Sequence, residues 1–294
     1  MNDKILVTGA SGQLGQLVIH HLLARGVAKD RVVAGSRDPA KLAGSAAAAV
    51  EARKVDFNDP QGLADAFKGI GTVLIISTDA LDSAGTRLKQ HRDAVAAAAA
   101  AGVGRLAYTS LPNPACSLLS FAPDHLGTEQ AIKATGLPHL IFRNGWYQQN
   151  LLRVLPNALK SGQWQTASKG GKTSYAAREE IAEAIAVALA APDTSSRTYT
   201  LTGTEALSSD AIAALASAVT DRPLAVVAVT DEQAETGLRS AGVPPVFIDV
   251  LMSMEAETRA GNLSLVTDHL ESLIGRVPKS LAQYFAEAKS ALLQ

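Results

Sequence analysis

The segment that most constrains the fold is the N-terminal stretch Ile5-Leu6-Val7-Thr8-Gly9-Ala10-Ser11-Gly12-Gln13-Leu14-Gly15. It begins with a short apolar run, and from Leu14 onward apolar residues recur at helical spacing as far as Gly26. The glycines therefore stand where the period of a strand gives way to the period of a helix. A strand, a glycine turn and a helix in this order are typical of a site that binds the pyrophosphate of a dinucleotide.

Each glycine has a predicted role in cofactor binding. Gly9 takes the tight turn, Gly12 lets backbone N–H groups approach a pyrophosphate, and Gly15 lets the helix lie close to the strand. The helix N-terminus then faces the phosphates. The spacing is G-x-x-G-x-x-G rather than G-x-G-x-x-G, so the alternative is a helix start that merely contains glycines. The predicted cofactor contacts are Thr8, Gly9, Ala10, Ser11, Gly12, Gln13, Leu14 and Gly15.

A basic residue after the second predicted strand indicates which dinucleotide binds. The strand covers residues 31–35, and Arg37 follows it where an acidic residue would read the 2'-hydroxyl of NAD. An arginine at this place accommodates a 2'-phosphate, so we predict NADP(H) as the cofactor. Asp38 is a competing reader, but it precedes Pro39 and suits the N-cap of a short helix. The alternative for Arg37 is a solvated loop charge.

Strands and helices continue to alternate along the chain, which predicts an α/β fold with a doubly wound parallel Rossmann sheet. Residues 1–150 are predicted to form the NAD(P)-binding domain, with 179–203 returning to it. Residues 151–294 are predicted to form a smaller, mostly helical C-terminal lobe that binds substrate. The remaining sheet strands are predicted at 50–57, 72–77, 105–110, 139–143 and 197–201.

Ligands of doubly wound sheets bind beyond the carboxyl ends of the strands. We therefore expect Asp56 and Phe57 to flank the adenine, and Ile76, Ser77 and Thr78 to pass over the phosphates or the ribose. The segment Arg143-Asn144-Gly145-Trp146-Tyr147 is predicted to form a wall of the nicotinamide pocket. For the two aromatic residues of this segment, a packing role and a direct role carry equal weight.

Composition excludes several classes of function. Lys and Arg total 27 against 28 Asp and Glu, so no basic field is present to hold nucleic acid. The single cysteine permits no internal disulfide, and no stretch has both the length and the apolarity to span a membrane. A cytoplasmic protein without membrane insertion is expected, and the sequence allows a homodimer. No metal site is predicted, and the histidines expected to face solvent are His20, His21, His91 and His269.

Five motifs together resemble the NmrA-like group of atypical short-chain dehydrogenases. They are the glycine segment, Arg37, Ala107-Tyr108-Thr109-Ser110, Asp124-His125-Leu126-Gly127-Thr128-Glu129 and Arg143-Asn144-Gly145-Trp146-Tyr147. The likeness covers essentially the whole chain. Within the group the chain is most similar to the NADPH-dependent quinone oxidoreductases and to triphenylmethane reductase. The last motif is narrower than the others and favours the quinone reductases.

The resemblance also shows a departure at the catalytic residues. Tyrosine-dependent members carry Tyr-x-x-x-Lys on the helix after the fifth strand, with a Ser or Thr at the end of that strand. Ser110 is retained, but when Glu129 is matched to the family's glutamate, Phe121 and His125 occupy the Tyr and Lys places. Phe121 cannot donate a proton to a developing alkoxide, so an ordinary alcohol dehydrogenase is not expected.

A quinone needs less assistance, because hydride addition yields an anion whose conjugate acid has a pKa of about 10, as in tyrosine. The expected function is hydride transfer from NADPH to a small aromatic acceptor, a quinone, with catalysis mainly by positioning. Candidate catalytic residues are His125, Tyr147 and Ser110, with Tyr108 and Trp146 as further pocket residues; the alternative for His125 is a helix histidine with a purely structural role. Two alternatives stay open: a sensor that binds NADP(H) without turnover, and a reductase of cationic triphenylmethane dyes.

Overall fold

The computed structural model describes residues 3–81 and 85–294, so residues 1, 2 and 82–84 of the predicted first domain lie outside it. The chain divides into two compact units. The first consists of Met1–Leu111, Pro123–Asn144 and Ile181–Tyr199, and the second of Pro112–Ala122, Gly145–Glu180 and Thr200–Gln294. These units are defined by compactness. The predicted division into a cofactor domain and a substrate lobe is a division by function, and it stays a prediction.

The strands are β1 Ile5–Val7, β2 Val32–Ser36, β3 Glu51–Lys54, β4 Thr72–Ile75, β5 Arg105–Ser110, β6 His139–Asn144, β7 Trp146–Tyr147, β8 Gln163–Thr166, β9 Lys172–Ala176, β10 Arg197–Leu201, β11 Ala206–Ser208 and β12 Ala225–Ala228. The helices are α1 Gln13–Ala24, α2 Pro60–Ala66, α3 Thr86–Ala100, α4 Ala122–Ala134, α5 Leu155–Ser161, α6 Arg178–Ala190, α7 Ser209–Thr220, α8 Asp231–Ser240, α9 Pro245–Arg259, α10 His269–Ile274, α11 Leu281–Glu287 and α12 Lys289–Leu292.

The first unit is built on a seven-stranded sheet in the order β10-β6-β5-β4-β1-β2-β3. The pairings from β3 through β2, β1, β4 and β5 to β6 are all parallel. Strand β1 lies between β2 and β4, which is the point where the strand order reverses. Dinucleotides bind at this switch point in doubly wound sheets, so the topology confirms the predicted fold class.

Apolar side chains on the central strands form the core of the first unit. Leu6 of β1, Val73 of β4 and Leu106 of β5 are completely buried, and Phe67 packs into the same cluster. Strands that are covered on both faces read as near-continuous apolar runs, and this is why β1 and β4 could be predicted from sequence. Strands β5 and β10 have the predicted bounds.

The predicted strands 72–77 and 139–143 are observed as β4 Thr72–Ile75 and β6 His139–Asn144, and a third predicted strand differs more. The predicted strand 50–57 ends at Lys54, because Asp56 starts a turn in which its Oδ1 accepts the N–H of Asn58 at 3.0 Å. Asp59 caps α2, since its Oδ1 accepts the N–H of Gly62 at 3.0 Å.

The second unit is less uniformly helical than predicted. It contains a three-stranded sheet in the order β11-β9-β7 and a two-stranded parallel sheet of β12 and β8. Strands β7, β8, β9 and β11 were not predicted, because they are short and their sequences lack a continuous apolar run. The hydrophobic core of the second unit forms around Leu155, Ile212 and Phe285. No helix within 3–81 and 85–294 has the length and apolarity needed to cross a membrane.

Candidate functional site

The glycine turn after β1 has the geometry that its spacing predicts. Gly9 has φ of +60°, a conformation that favours glycine, and its carbonyl oxygen accepts the N–H of Gly12 at 2.9 Å. A Cβ on Gly15 would lie 2.4 Å from the same carbonyl oxygen, so Gly15 permits the close approach of α1 to the turn. No side chain of the described residues caps α1. Such a helix start is suited to bind an anionic group.

Replacing Gly15 with Ala is therefore expected to weaken NADPH binding at least ~10-fold and to lower the free energy of unfolding by about 1–3 kcal/mol. The reason is that the added methyl group would have to displace the Gly9 backbone. Gly237→Ala on α8 is the matched control, because a Cβ there meets no heavy atom within 4 Å. Fluorescence titration and urea unfolding measure the two effects. Equal binding by both variants would contradict the close approach.

Arg37 and Asp38 follow β2, and they are the two candidates to bind the adenine ribose of the cofactor. Arg37 is exposed and lines the pocket described below. Asp38 instead caps the short turn 39–42, with its Oδ1 accepting the N–H of Ala40 at 3.1 Å. The predicted N-cap role of Asp38 is confirmed. Ser36 holds this corner to the glycine turn, because its Oγ donates to Ser11 Oγ at 3.1 Å.

A pocket of about 290 Å³ opens in the first unit where the carboxyl ends of β1, β2, β3 and β4 meet. It brings together ten of the predicted cofactor contacts: Thr8, Gly9, Ser11, Gly12, Arg37, Asp56, Phe57, Ile76, Ser77 and Thr78. Ala10, Gln13, Leu14 and Gly15 do not line it. Ala10 is fully buried, and Leu14 points into the core. Five further residues, which no sequence pattern marked as cofactor contacts, also line it: Val55, Asn58, Asp79, Ala80 and Gln90.

Two of the missed residues form a polar chain along the pocket. Thr78 donates its hydroxyl to Gln90 Oε1 at 2.8 Å, and Gln90 Nε2 donates to Asn58 Oδ1 at 2.9 Å. Gln90 belongs to the alanine-rich helix α3, where nothing in the local pattern marks it as functional. Only the packing of α3 beside the β4 end brings it to the pocket.

A buried polar cluster lies behind Ser77 and Thr78. The backbone N–H of Thr78 donates to His91 Nε2 at 3.1 Å, so the proton of the neutral ring is on Nδ1, which faces Thr128 Oγ1 at 3.0 Å. The prediction that His91 faces solvent is wrong, since its side chain is completely buried. Burial and the nearby Arg87 charge lower the pKa of His91 to about 3. Of the other three histidines, His20 is exposed, while His21 and His269 are partly buried.

His125 belongs to the same cluster. Arg87 Nη2 donates to His125 Nε2 at 2.9 Å, which leaves the ring proton on Nδ1 for the Tyr108 hydroxyl at 2.8 Å. Arg87 also donates to Ser77 Oγ. Burial, together with the charge on Arg87, holds the pKa of His125 well below its ordinary value. The ring is therefore neutral at pH 7 and only 4% exposed.

Ser110 contacts a different buried group. Its hydroxyl donates to Glu129 Oε1 at 2.7 Å, and Glu129 is also held by Arg143 through bonds of 3.0 Å and 2.8 Å. The carboxylate raises the pKa of the Arg143 guanidinium through this hydrogen-bonded pair. Ser110 and Arg143 therefore stabilise a buried ion pair within the first unit.

The rest of the predicted wall lies in the second unit. The N–H of Gly145 donates to the Leu201 carbonyl oxygen at 2.7 Å, and a Cβ there would come within 2.9 Å of that oxygen. Tyr147 lies under the Arg178 guanidinium, which is 4.6 Å from the ring centroid. Trp146 lines a second cavity, of about 330 Å³. Asn144, the last residue of β6, is buried in the first unit.

The three predicted catalytic residues thus have different surroundings. His125 and Ser110 belong to separate buried hydrogen-bonded groups of the first unit, and neither lines its pocket. Tyr147 belongs to the second unit and packs against a guanidinium. Their roles in catalysis stay predictions. No group of three or more His, Cys, Asp or Glu side chains in the described ranges could hold a metal ion.

The buried histidines lead to a prediction about acid stability. The folded pKa of His91 is about 3, below the value of 6.5 in an unfolded chain, so the unfolded state binds protons first as the pH falls. Its contribution to stability is complete above pH 6.5 and is lost toward pH 3. As the pH falls below about 6, the free energy of unfolding should decrease less steeply in His91→Gln than in wild type. The difference between the two slopes should be ~1.4 kcal/mol per pH unit.

The measurement is urea unfolding of wild type and His91→Gln at a series of pH values from 7 to 4. His20→Gln, a matched change at an exposed histidine, should keep the wild-type slope. Parallel slopes for wild type and His91→Gln would mean that His91 does not resist protonation in the folded state.

The sequence is similar to a known protein family over nearly its whole length. The model of the NmrA-like family matches residues 1–285. Quinone oxidoreductase 2 of Escherichia coli K12 is 33% identical over 279 residues, which cover 95% of this chain and 96% of that protein.

Two solved structures are similar over nearly their whole length. The Citrobacter sp. triphenylmethane reductase complexed with NADP(H) superposes with a TM-score of 0.91 at 32% identity, covering 97% of this chain and 100% of that one. The NADPH-dependent quinone oxidoreductase of Escherichia coli complexed with NADPH has a TM-score of 0.91 at 32% identity, covering 99% of this chain and 100% of that one.

Proposed function

Since this chain belongs to the NmrA-like family, we propose that it is an NADPH-dependent oxidoreductase that transfers hydride to a quinone. The observation that carries the proposal is the pocket of the first unit, in which the glycine turn and Arg37 meet at the switch point of the sheet. The similar quinone oxidoreductase and triphenylmethane reductase were crystallised with NADPH and NADP(H), and this supports the choice of cofactor.

The residues present fit NADPH. The turn leaves no room for a Cβ at Gly15, and Gly12 lines the pocket, so backbone atoms are what a pyrophosphate would meet there. Arg37 offers charge-assisted hydrogen bonds to a 2'-phosphate. When bound, NADPH supplies a hydride, and the chain supplies the contacts that orient it. Thr78, Gln90 and Asn58 give the pocket a fixed polar wall beside Phe57.

The acceptor is proposed to bind in the cavity of the second unit. Trp146, Trp164 and Tyr175 line that cavity, together with aliphatic and methionine side chains. Flat aromatic compounds pack favourably on such rings. Its volume of about 330 Å³ lies in the range of small-molecule sites, which begins near ~300 Å³. A small quinone is an occupant of suitable shape and chemistry.

The buried histidine His125 supports catalysis by positioning rather than by a histidine acid. A general acid must reach its substrate, whereas His125 is enclosed by Arg87 and Tyr108 and is neutral. Phe121→Tyr should accordingly leave quinone turnover unchanged. His125→Ala should lower turnover by less than the ~10²- to 10⁴-fold effect of removing a general acid. The kcat/KM of both variants at saturating NADPH checks this prediction, and a thousandfold loss in His125→Ala would contradict it.

The test of the function itself is steady-state oxidation of NADPH with a small benzoquinone, compared with heat-killed protein and with NADH. Turnover that needs the quinone and prefers NADPH is the expected result. Tight NADPH binding without turnover of any acceptor would instead establish a sensor. A triphenylmethane cation belongs in the same assay, because the similar triphenylmethane reductase aligns with 97% of this chain.

A further inference from the structure

The cavity of the second unit contains one acidic side chain among apolar and aromatic walls. Within the described lining, Glu255 of α9 is the only carboxyl group, and Trp146, Trp164 and Tyr175 surround the same space. A carboxyl group in an aromatic cavity can oppose a positive charge, exchange a proton with a ligand, or serve only as a structural hydrogen-bond acceptor. Burial of Glu255 raises its pKa and so favours the form that can donate a proton.

Glu255 is held by hydrogen bonds from the end of β8. Its Oε2 faces Thr166 Oγ1 at 2.9 Å, and the backbone N–H of Ala167 also donates to the carboxyl group. Arg259 lies on the same helix, but its guanidinium binds Asp231 at 2.8 Å and 2.9 Å and the Ala167 carbonyl oxygen at 2.7 Å. Glu255 is therefore held in a fixed position by hydrogen bonds, and none of these contacts is a salt bridge to Arg259.

The surrounding groups favour a protonated carboxyl group more than water does. Burial raises the pKa of Glu255, and Asp231 of α8 acts in the same direction. The hydrogen bonds from Thr166 and Ala167 and the charge of Arg259 act in the opposite direction and are weaker in sum. Tyr175 of β9 also faces Glu255, and its phenol stays neutral because burial raises its pKa.

Quinone reduction requires a proton as well as a hydride, and a general acid speeds hydride transfer when it donates as negative charge develops on the quinone oxygen. The product of hydride addition is a phenolate-like anion whose conjugate acid has a pKa of about 10. Tyr175 is a weaker acid than that product, so proton transfer from it would be unfavourable. A carboxylic acid is the stronger acid, and transfer from Glu255 would be favourable.

We propose that Glu255 is the proton donor that completes quinone reduction in this cavity, an inference that rests on the proposed function. As the quinone takes a hydride (two electrons and one proton together) from NADPH, negative charge develops on one quinone oxygen. In the same step the O–H bond of Glu255 breaks and an O–H bond forms on that oxygen. Glu255 is left as a carboxylate and regains a proton from solvent. The sum is quinone, NADPH and one proton giving hydroquinone and NADP⁺.

The sharpest test compares two acceptors with Glu255→Gln, which keeps the side-chain shape. A benzoquinone needs the added proton, whereas a triarylmethane cation such as malachite green becomes neutral on taking hydride and needs none. We expect the quinone kcat/KM to fall about 100-fold or more, while that of the dye changes less than about 3-fold. Dye turnover also shows that the variant is folded. Glu205→Gln, at an exposed carboxylate, is the control and should change neither.

The pH profile gives a second readout. Only protonated Glu255 can donate, so the wild-type quinone kcat/KM should fall as pH rises through the raised pKa of Glu255, and this limb should be missing in Glu255→Gln. Equal losses for both acceptors, or a loss for the dye alone, would overturn the proposal. The second pattern would make Glu255 a counter-ion for cationic ligands.

A binding experiment decides the matter even where no acceptor is turned over. 4-Nitrophenolate mimics the reduced anion and is yellow, whereas its protonated form is nearly colourless. Above the pKa of 4-nitrophenol, the affinity of wild type for the anion is expected to fall about tenfold per pH unit once Glu255 is ionised, because the bound pair must share one proton, whereas the affinity of Glu255→Gln is expected to be independent of pH. This pH dependence without any turnover would refute the proposed function but keep Glu255 as the donor. The same pH dependence in both proteins, or no binding, would refute the donor.

Discussion

Arg37→Ala is expected to weaken NADPH binding by about 10- to 150-fold and to leave NADH binding nearly unchanged. The reason is that only NADPH has the 2'-phosphate, and a hydrogen bond to a charged group contributes roughly 1.5–3 kcal/mol. Arg37 is exposed at the pocket, so its removal leaves no buried group unpaired. Arg37→Asp should have a larger effect on NADPH, because the phosphate would then meet a negative charge.

Fluorescence titration with both cofactors measures the effect, and its salt dependence provides a check. The preference for NADPH should weaken as ionic strength rises, since an exposed ion pair is screened by salt. Arg31→Ala is a suitable control, because Arg31 pairs with Asp3 at 2.8 Å away from the pocket lining. Equal loss of affinity for NADPH and NADH in Arg37→Ala would show that another residue binds the phosphate.

Glu129→Ala is expected to lower the free energy of unfolding by about 3–5 kcal/mol, the usual cost of removing one member of a buried ion pair. Glu129 is 1% exposed, and its partner Arg143 is 24% exposed. The variant would leave the Arg143 guanidinium and the Ser110 hydroxyl without their acceptor inside the first unit. The loss of both contacts is why the effect should exceed that of a surface pair.

Urea unfolding monitored by circular dichroism is the measurement, with Lys133→Ala as the matched control. Lys133 lies 3.7 Å from the same carboxylate but is half exposed, so its removal should cost less than about 1 kcal/mol. A double-mutant cycle of Glu129→Ala with Arg143→Met should show strong coupling. A loss below about 1 kcal/mol in Glu129→Ala would mean that the pair is solvated in solution.

The ion pair also changes how Ser110 and Arg143 are interpreted. In the sequence, Ser110 occupies a place where related enzymes have a catalytic hydroxyl, and Arg143 opens a narrow family motif. In the structure both bind Glu129, so loss of activity in either variant needs a stability measurement beside it. The ratio of kcat to KM effects at a temperature where the variants are folded separates the two explanations.

The sequence alone determined the parts of the site that depend on local spacing. The glycine turn, the N-cap at Asp38 and the position of Arg37 after β2 all follow from residues within a few positions of one another. The buried strands β1 and β4 were predictable for the same reason, because a strand covered on both faces requires a near-continuous apolar run. Backbone φ angles, helix caps and strand ends depend mainly on residues that are close to them in the sequence.

Only the tertiary structure decided which distant side chains meet. Gln90 and His91 look like ordinary residues of an alanine-rich helix, yet one lines the pocket and the other is completely buried behind it. Glu255 and Trp146 are more than a hundred residues apart and line one cavity. No local pattern records such contacts, because they arise when the hydrophobic faces of helices and strands pack together and bring their polar residues with them.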